Sequence, residues 1–444
     1  RRTADHRHPG ERQMNLTPPS RARLDAAAGA LDDVLAFSRP ADSVMSAHFR
    51  HHSDLGQRDR AFIAEAVFGV LRHLRTIDAL APDASSRRKL VAFLVRFAGI
   101  SVRRLAAVLS GTEIQWAETL KAIDIAALPL AVKAELPDWL VERLGRDRDT
   151  AGVLALGRTL QEPAPLDLRV NTLKTDRDTV LGRLASDGIT AQATPYSPVG
   201  VRLAGKPAIN RHPLFTEGAI EVQDEGSQLL AYLVAPRRHD LVVDFCAGAG
   251  GKTLALGALM RSRGRLYAFD TASRRLERLR PRLARSGLSN VFPHVISSEH
   301  DQRIRRLTGK IDRVLVDAPC SGLGTLRRNP DLKWRQSPQS IAELVKKQAS
   351  ILAAAAALVK PGGRLVYATC SLLPDENADI IAAFLNNRPE FRVIRCGEIL
   401  QQQHITLECG EFLELDPCRH NTDGFFAAAL QHTASNKDEH APKP

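Results

Sequence analysis

From residue 240 onward, short apolar runs alternate with stretches of helical periodicity, and that alternation constrains the fold more than any other feature. Strand-like runs fit residues 241–245, 265–269, 291–296, 313–317 and 364–368, with a closing one at 424–430. Helices fit 252–260, 273–286, 338–359 and 375–386 between them. Strands this apolar must be covered on both faces, and helices inserted between them supply the cover. The pattern predicts a doubly wound, mainly parallel α/β sheet. In such a sheet ligands bind at the carboxyl ends of the strands, which makes the residues there the first to inspect.

The preceding chain reads differently. Over 60–74 apolar residues fall at Ile63, Val67, Val70, Leu71 and Leu74, one face of a helix. Further helices fit 22–37, 89–97, 102–109 and 139–144, so 15–149 is expected to be an all-α domain. Pro163 and Pro165 then interrupt helix, and strands fit 166–170, 200–203 and 219–222 with a helix at 179–184. Residues 150–236 therefore read as a small α/β connecting module, and 237–431 as the parallel-sheet domain. Residues 1–14 read as an Arg- and His-rich flexible arm with Met14 a candidate start, and 432–444 as a disordered tail.

With 44% hydrophobic and 25% charged residues, the chain has the composition of an ordinary globular protein. Lys and Arg outnumber Asp and Glu by 62 to 50, a net +12 that favours a polyanionic partner, nucleic acid ahead of a membrane. The most apolar run, 351–359, is too short to span a bilayer, so no membrane partner is expected. The six cysteines form no Cys-x-x-Cys pair. Cys396, Cys409 and Cys418 with His404 and His420 match no zinc spacing, so no metal site is expected. So few cysteines in so long a chain point to a reducing cytoplasm.

Three features at predicted strand ends carry chemistry. The first is the turn Asp244-Phe245-Cys246-Ala247-Gly248-Ala249-Gly250-Gly251-Lys252-Thr253, which opens a helix and aims backbone N–H groups at a ligand. It ends like a P-loop, but Cys246 stands where that motif needs glycine. A dinucleotide fingerprint would need glycine at Thr253. An S-adenosylmethionine site fits as well, with Asp270 at the next strand end placed for the ribose hydroxyls. The turn alone leaves these readings open. The second and third features are Pro319-Cys320 and Thr369-Cys370, with Asp317 just upstream. Neighbouring strands lie about 4.8 Å apart, so both thiols can share one pocket. A thiolate that adds to C6 of cytosine makes C5 nucleophilic, and a second thiol can assist release.

The runs Asp317-Ala318-Pro319-Cys320-Ser321-Gly322, Arg327-Arg328-Asn329-Pro330-Asp331-Leu332-Lys333-Trp334 and Tyr367-Ala368-Thr369-Cys370-Ser371, followed by Glu376-Asn377, closely resemble the RNA cytosine-5 methyltransferases of the RsmB/Nop/Sun type. Asp423-Gly424-Phe425-Phe426 resembles their closing strand. Arg169-Val170-Asn171-Thr172-Leu173 and Gln223-Asp224-Glu225-Gly226-Ser227 resemble their connecting module. Leu55-Gly56-Gln57-Arg58-Asp59-Arg60 resembles the NusB-type helical domain of the bacterial rRNA branch.

The resemblance implies a Rossmann-like methyltransferase domain with an all-α NusB-like N-terminal domain. It also implies S-adenosylmethionine as cofactor and RNA, 16S rRNA in the bacterial branch, as substrate; nothing in the sequence suggests an obligate assembly, so a monomer is expected. By the same token Cys370 is the nucleophile and Cys320 resolves the covalent adduct, with Asp317 and Lys252 at the active centre. DNA cytosine-5 methyltransferases attack with the Pro-Cys cysteine, so Thr369-Cys370 favours RNA. Cofactor contacts carry over to Cys246, Ala247, Gly248, Ala249, Gly250, Gly251 and Lys252, and to Asp270 and Asp317. Ser297 stands where the family has an acid near the adenine and is the expected adenine contact in its place, with Glu299 or Asp301 as substitutes. Arg327, Arg328 and Arg169 are the expected RNA contacts, whereas the arginines at 274, 275, 278, 280, 282 and 285 spread around one helix. The competing reading is a catalytically quiet RNA-binding ribosome-assembly factor.

Overall fold

The computed structural model describes residues 16–433, so the arm expected over 1–14 and the tail from 434 lie outside the described residues. The chain forms two compact units. The first takes the chain up to Glu162 and, unexpectedly, Leu326–Gln336.

This first unit is helical. Ser20 caps the helix Arg21–Leu35 by accepting from the Arg23 amide. Leu24, Ala27, Leu31 and Val34, spaced three and four apart, form its buried face. They pack with Ile63, Val67, Val70 and Leu71 of the helix Gln57–Arg72 and with Leu90, Phe93 and Leu94 of Ser86–Arg96. Truncating one such fully buried Leu or Ile to alanine costs about 2–5 kcal/mol. The helices Ala41–His51 and Gly111–Leu120 escape sequence reading because polar residues dilute their periodicity. The helix Thr150–Gln161, capped by Asp149, also belongs here, so the unit runs past the expected boundary at 149.

Leu326–Gln336 reads in sequence as part of the sheet domain, yet its contacts are helical. Trp334 Nε1 donates to Leu71 O at 3.1 Å, Lys333 Nζ to Arg72 O at 3.0 Å, and the Ala41 amide to Asp331 Oδ2 at 3.1 Å. Burial pushes the Lys333 ammonium down to about 8.

The second unit holds two sheets. In the smaller, β1 (Leu166–Val170), β2 (Ala191–Ala193), β3 (Gly200–Leu203) and β4 (Ile220–Val222) run in the order β2-β3-β1-β4, all antiparallel. The helix Arg177–Ser186 sends Val180 and Leu184 into its core. The larger sheet contains β5 (Leu241–Asp244), β6 (Arg265–Asp270), β7 (Val291–Val295), β8 (Ile311–Asp317), β9 (Val359–Thr369), β10 (Phe391–Ile394), β11 (Leu413–Leu415) and β12 (Phe425–His432). Its order is β10-β12-β9-β8-β5-β6-β7, with β11 also on β12. Strands β5 to β9 pair in parallel, and β12 returns antiparallel to β9.

Both faces of the large sheet are covered, as the apolar runs require. Val242 enters one core with Leu254 and Leu256, while Val243 enters the other with Ile351 and Leu352. Strand β9 also departs from sequence reading, starting at Val359 rather than at Arg364. Its first residues include Lys360-Pro361-Gly362-Gly363, which belong to the strand beside a register shift on β8. The helix expected at 375–386 starts only at Ala378, because Pro374–Glu376 forms a separate short turn.

Candidate active site

The carboxyl ends of β9, β8, β5 and β6 lie side by side, and the chemistry expected of the chain collects there. The turn after β5 is shaped by glycine. Gly248 has φ +56° and Gly250 φ +84°, and a Cβ on Gly250 would sit 2.1 Å from Leu279 Cδ1. Around Gly248 a Cβ would meet no atom within 4 Å, so this part of the turn faces open space. Asp270 closes the turn from β6: its Oδ2 accepts from the Gly248 amide at 2.8 Å and its Oδ1 from the Ala272 amide at 2.7 Å. Each oxygen keeps a lone pair for a further donor. Arg282 Nη1 donates to Ala249 O at 2.6 Å while its fork pairs with Glu221, fixing the turn from the other side.

Beneath the turn, Asp244 is fully buried. Thr253 Oγ1 donates to its Oδ2 at 2.7 Å, and its Oδ1 meets no donor of the protein. Burial pushes its carboxyl up to about 7. The folded protein therefore binds this proton more tightly than the unfolded chain, and stability falls as pH rises from about 4 to 7, then levels. Asp244→Asn, which cannot ionise, should gain stability over the natural chain between pH 5 and pH 8, on the order of 3 kcal/mol. Thermal unfolding across that range checks it; a pH-independent difference would refute it. Burial likewise pushes the Cys246 thiol up, so it packs as a neutral side chain.

Lys252, one residue into the helix Gly251–Leu259, reaches across to β8 and donates to Asp317 Oδ2 at 2.8 Å. Burial alone would lower its pKa, but the Asp317 carboxylate and the nearby Cys370 sulfur outweigh that and raise it. The ammonium stays charged. The two strand-end cysteines meet, with sulfurs 3.3 Å apart and the Cys370 amide donating to Cys320 Sγ at 3.3 Å. The hydrogen bond to Cys370, together with burial, raises the Cys320 thiol well above its usual range, so Cys320 keeps its proton. Gly324 lets the backbone close over this pair: its amide donates to Cys370 O at 2.8 Å, and a Cβ there would strike Gly424 O at 2.1 Å.

A set of residues that sequence reasoning gave no role lies directly behind the cysteines. Glu376 is fully buried and accepts from the Ser321 amide at 2.8 Å, from Ser321 Oγ at 2.6 Å, from Gln348 Nε2 at 2.9 Å and from Ser371 Oγ. The available signal was the repeated Cys-Ser dipeptide at 320–321 and 370–371.

Other expectations fare differently. Ser297, at the end of β7, is exposed, and its amide and hydroxyl donate to Asp301 Oδ2 at 2.9 and 3.1 Å. Glu299 is turned away: although burial opposes its ionisation, Lys347 and Ser350 hold its pKa down to about 2. Two of the three expected RNA contacts are not surface groups. Arg169 is 4% exposed and donates to Gln223 Oε1 at 2.7 Å, and Arg327 is 4% exposed within the helical unit. Both are buried, while Arg328 is half-buried. On the helix Ser273–Ser286, Arg282 and Arg285 are spent on Glu221, whereas Arg274, Arg275, Arg278 and Arg280 are exposed. Among the described residues no cluster of His, Cys, Asp or Glu could hold a metal ion, and no helix is long and apolar enough to cross a membrane.

A glycine-rich turn after β5, an acid at the end of the neighbouring β6 and two thiols on the other side define a Rossmann-like methyltransferase. Residues 231–431 match the family described as 16S rRNA methyltransferase RsmB/F, and 136–210 match its ferredoxin-like domain. The probable ribosomal RNA small subunit methyltransferase B of Synechocystis is 34% identical over 85% of this chain and 92% of its own length. The ribosomal RNA small subunit methyltransferase B of Shewanella oneidensis is 33% identical over 84% of this chain and 91% of its own. The crystal structure of PH0851 superposes with a TM-score of 0.76 at 26% identity, covering 94% of this chain and 99% of that one. NSun6 from Pyrococcus horikoshii, solved with SFG, shares the fold at a TM-score of 0.60 and 20% identity, covering 67% and 99%.

The chain belongs to the RsmB/F family of rRNA methyltransferases. It is an enzyme that uses S-adenosylmethionine and acts on RNA. The turn fits that cofactor: open space at Gly248, an orphaned buried Asp244 oxygen and spare lone pairs on Asp270 lie together at one strand edge.

Proposed function

We propose that this protein forms 5-methylcytosine in 16S rRNA, in the cytoplasm, through a covalent bond between Cys370 and C6 of the target cytosine. The observation that carries the reading is the 3.3 Å approach of the Cys320 and Cys370 sulfurs beside the Lys252–Asp317 pair. The Cys370 thiolate adds to C6, and the C5–C6 π pair moves so that C5 becomes nucleophilic. The bound cofactor supplies an electrophilic methyl group. Lys252 and Asp317 hold the N3 side of the base, where hydrogen bonding draws electron density away from C6. The C5 proton then passes to water as the C5–C6 double bond re-forms and the S–C6 bond breaks, its electron pair returning to the Cys370 sulfur as thiolate, and the Cys320 thiol assists that departure as a hydrogen-bond donor to the leaving sulfur.

Cofactor binding falls to residues 246–252, Asp270 and Asp317. Asp301, anchored by Ser297, takes the adenine side, since Glu299 is committed to Lys347. The target base must be unpaired or flipped out to reach thiols at a strand end. Arg328 and the exposed arginines from 274 to 280 suit phosphate contact, and the NusB-like helical unit is assigned to RNA docking.

The test is incubation of the protein with small-subunit rRNA and methyl-labelled S-adenosylmethionine, followed by digestion to nucleosides. Label in 5-methylcytidine is expected. Label in any other nucleoside, or preference for large-subunit rRNA, would sink the corresponding part of the reading.

A further inference from the structure

We propose that Glu376 is the positioning residue that holds the two cysteine loops in register, a role that rests on the reading of Cys370 and Cys320 given above. Its carboxylate is 0% exposed and sits in the short turn Pro374–Glu376. Oε1 accepts from the Ser321 amide at 2.8 Å and from Gln348 Nε2 at 2.9 Å; Oε2 accepts from Ser321 Oγ at 2.6 Å and from Ser371 Oγ. Gln348 Nε2 also donates to Pro319 O at 3.0 Å. One carboxylate therefore grips the residue after each cysteine and, through Gln348, the residue before Cys320.

The grip continues in the neighbouring residue. Thr369 Oγ1 donates to Asn377 Oδ1 at 2.5 Å, and Asn377 Nδ2 donates to Ser371 O at 3.1 Å, so Cys370 is held from both sides. Tyr367 OH donates to Glu376 O at 2.7 Å and ties the turn itself to β9. A carboxylate offers about four acceptor sites, and the four donors occupy them all. None is left for substrate, which makes Glu376 a group that acts through the cysteines rather than on the base.

Three variants test this, with the Cys320–Cys370 spacing read directly by oxidation with diamide. In that reaction two thiols form a disulfide, and the diazene takes up their two hydrogens to become a hydrazine. The product is detected by mass and by its reversal with a reductant. Glu376→Ala should slow disulfide closure about 10-fold or more and kcat by about 100-fold, with the cofactor Kd unchanged. Glu376→Gln keeps the shape, and the serine hydroxyls can turn to accept from its amide. It should stay within about 5-fold of the natural chain in both readouts. Ser371→Ala, which removes one donor and covers the case that Glu376→Ala does not fold, should lower both rates by about 10-fold.

Disulfide closure at the natural rate in Glu376→Ala or Ser371→Ala overturns the proposal. So does a Gln variant as damaged as the Ala variant, because charge rather than register would then be at work. Turnover that survives Cys370→Ala would fault the assignment of the attacking thiol, while the disulfide rates would still decide the role of Glu376.

Discussion

Replacing Cys370 with alanine is expected to abolish methyl transfer, by at least about 10⁴-fold, together with any covalent RNA adduct. The change deletes one sulfur from a half-buried site and leaves the Cys370 amide and carbonyl in place, so the loop and its bonds to Cys320 Sγ and the Gly324 amide persist. The cofactor Kd should therefore hold while chemistry stops. Denaturing gels of the protein with RNA, and counting of transferred methyl label, read the two effects separately. An adduct that still forms in this variant would mean that the attacking thiol is elsewhere.

Cys320→Ala should produce the opposite picture. With Cys370 intact the bond to C6 still forms, but the sulfur 3.3 Å away that assists elimination is gone. The adduct should accumulate as a shifted band that survives denaturation, and turnover should fall by about 100-fold or more. Cys320 retains its proton because it is hydrogen-bonded to Cys370 and buried, which suits a group that waits rather than attacks. A Cys320 variant that turns over normally would leave the second sulfur without a role, and one that forms no adduct would exchange the two roles.

The larger sheet was legible because buried parallel strands leave short apolar runs such as Leu241–Asp244 and Arg265–Asp270 that alternate with helical stretches. The cysteines, Asp317 and the glycine turn were legible for the same reason: their positions at strand ends follow once the strands are found. The network around Glu376 was not. Gln348 lies in the middle of the helix Pro338–Ala356, and nothing local marks it as the partner of a residue in a turn 28 positions away. The partners of the arginines were not legible either. A sequence shows charge but not where that charge is spent, and Arg169, Arg282 and Arg285 answer Gln223 and Glu221 inside the fold.

The excursion of Leu326–Gln336 bears on how this enzyme can be taken apart. A chain cut after Glu162 would keep every strand and both cysteines, yet it would strand Trp334, Lys333 and Asp331 without Leu71, Arg72 and Ala41. An indole and a buried ammonium would be left in water in the chain that follows Cys320. The helical unit, for its part, is not a segment that could be appended or lost at one junction, because the polypeptide enters it twice. Its boundary is drawn between Cys320 and Cys370, so no single cut separates the two units.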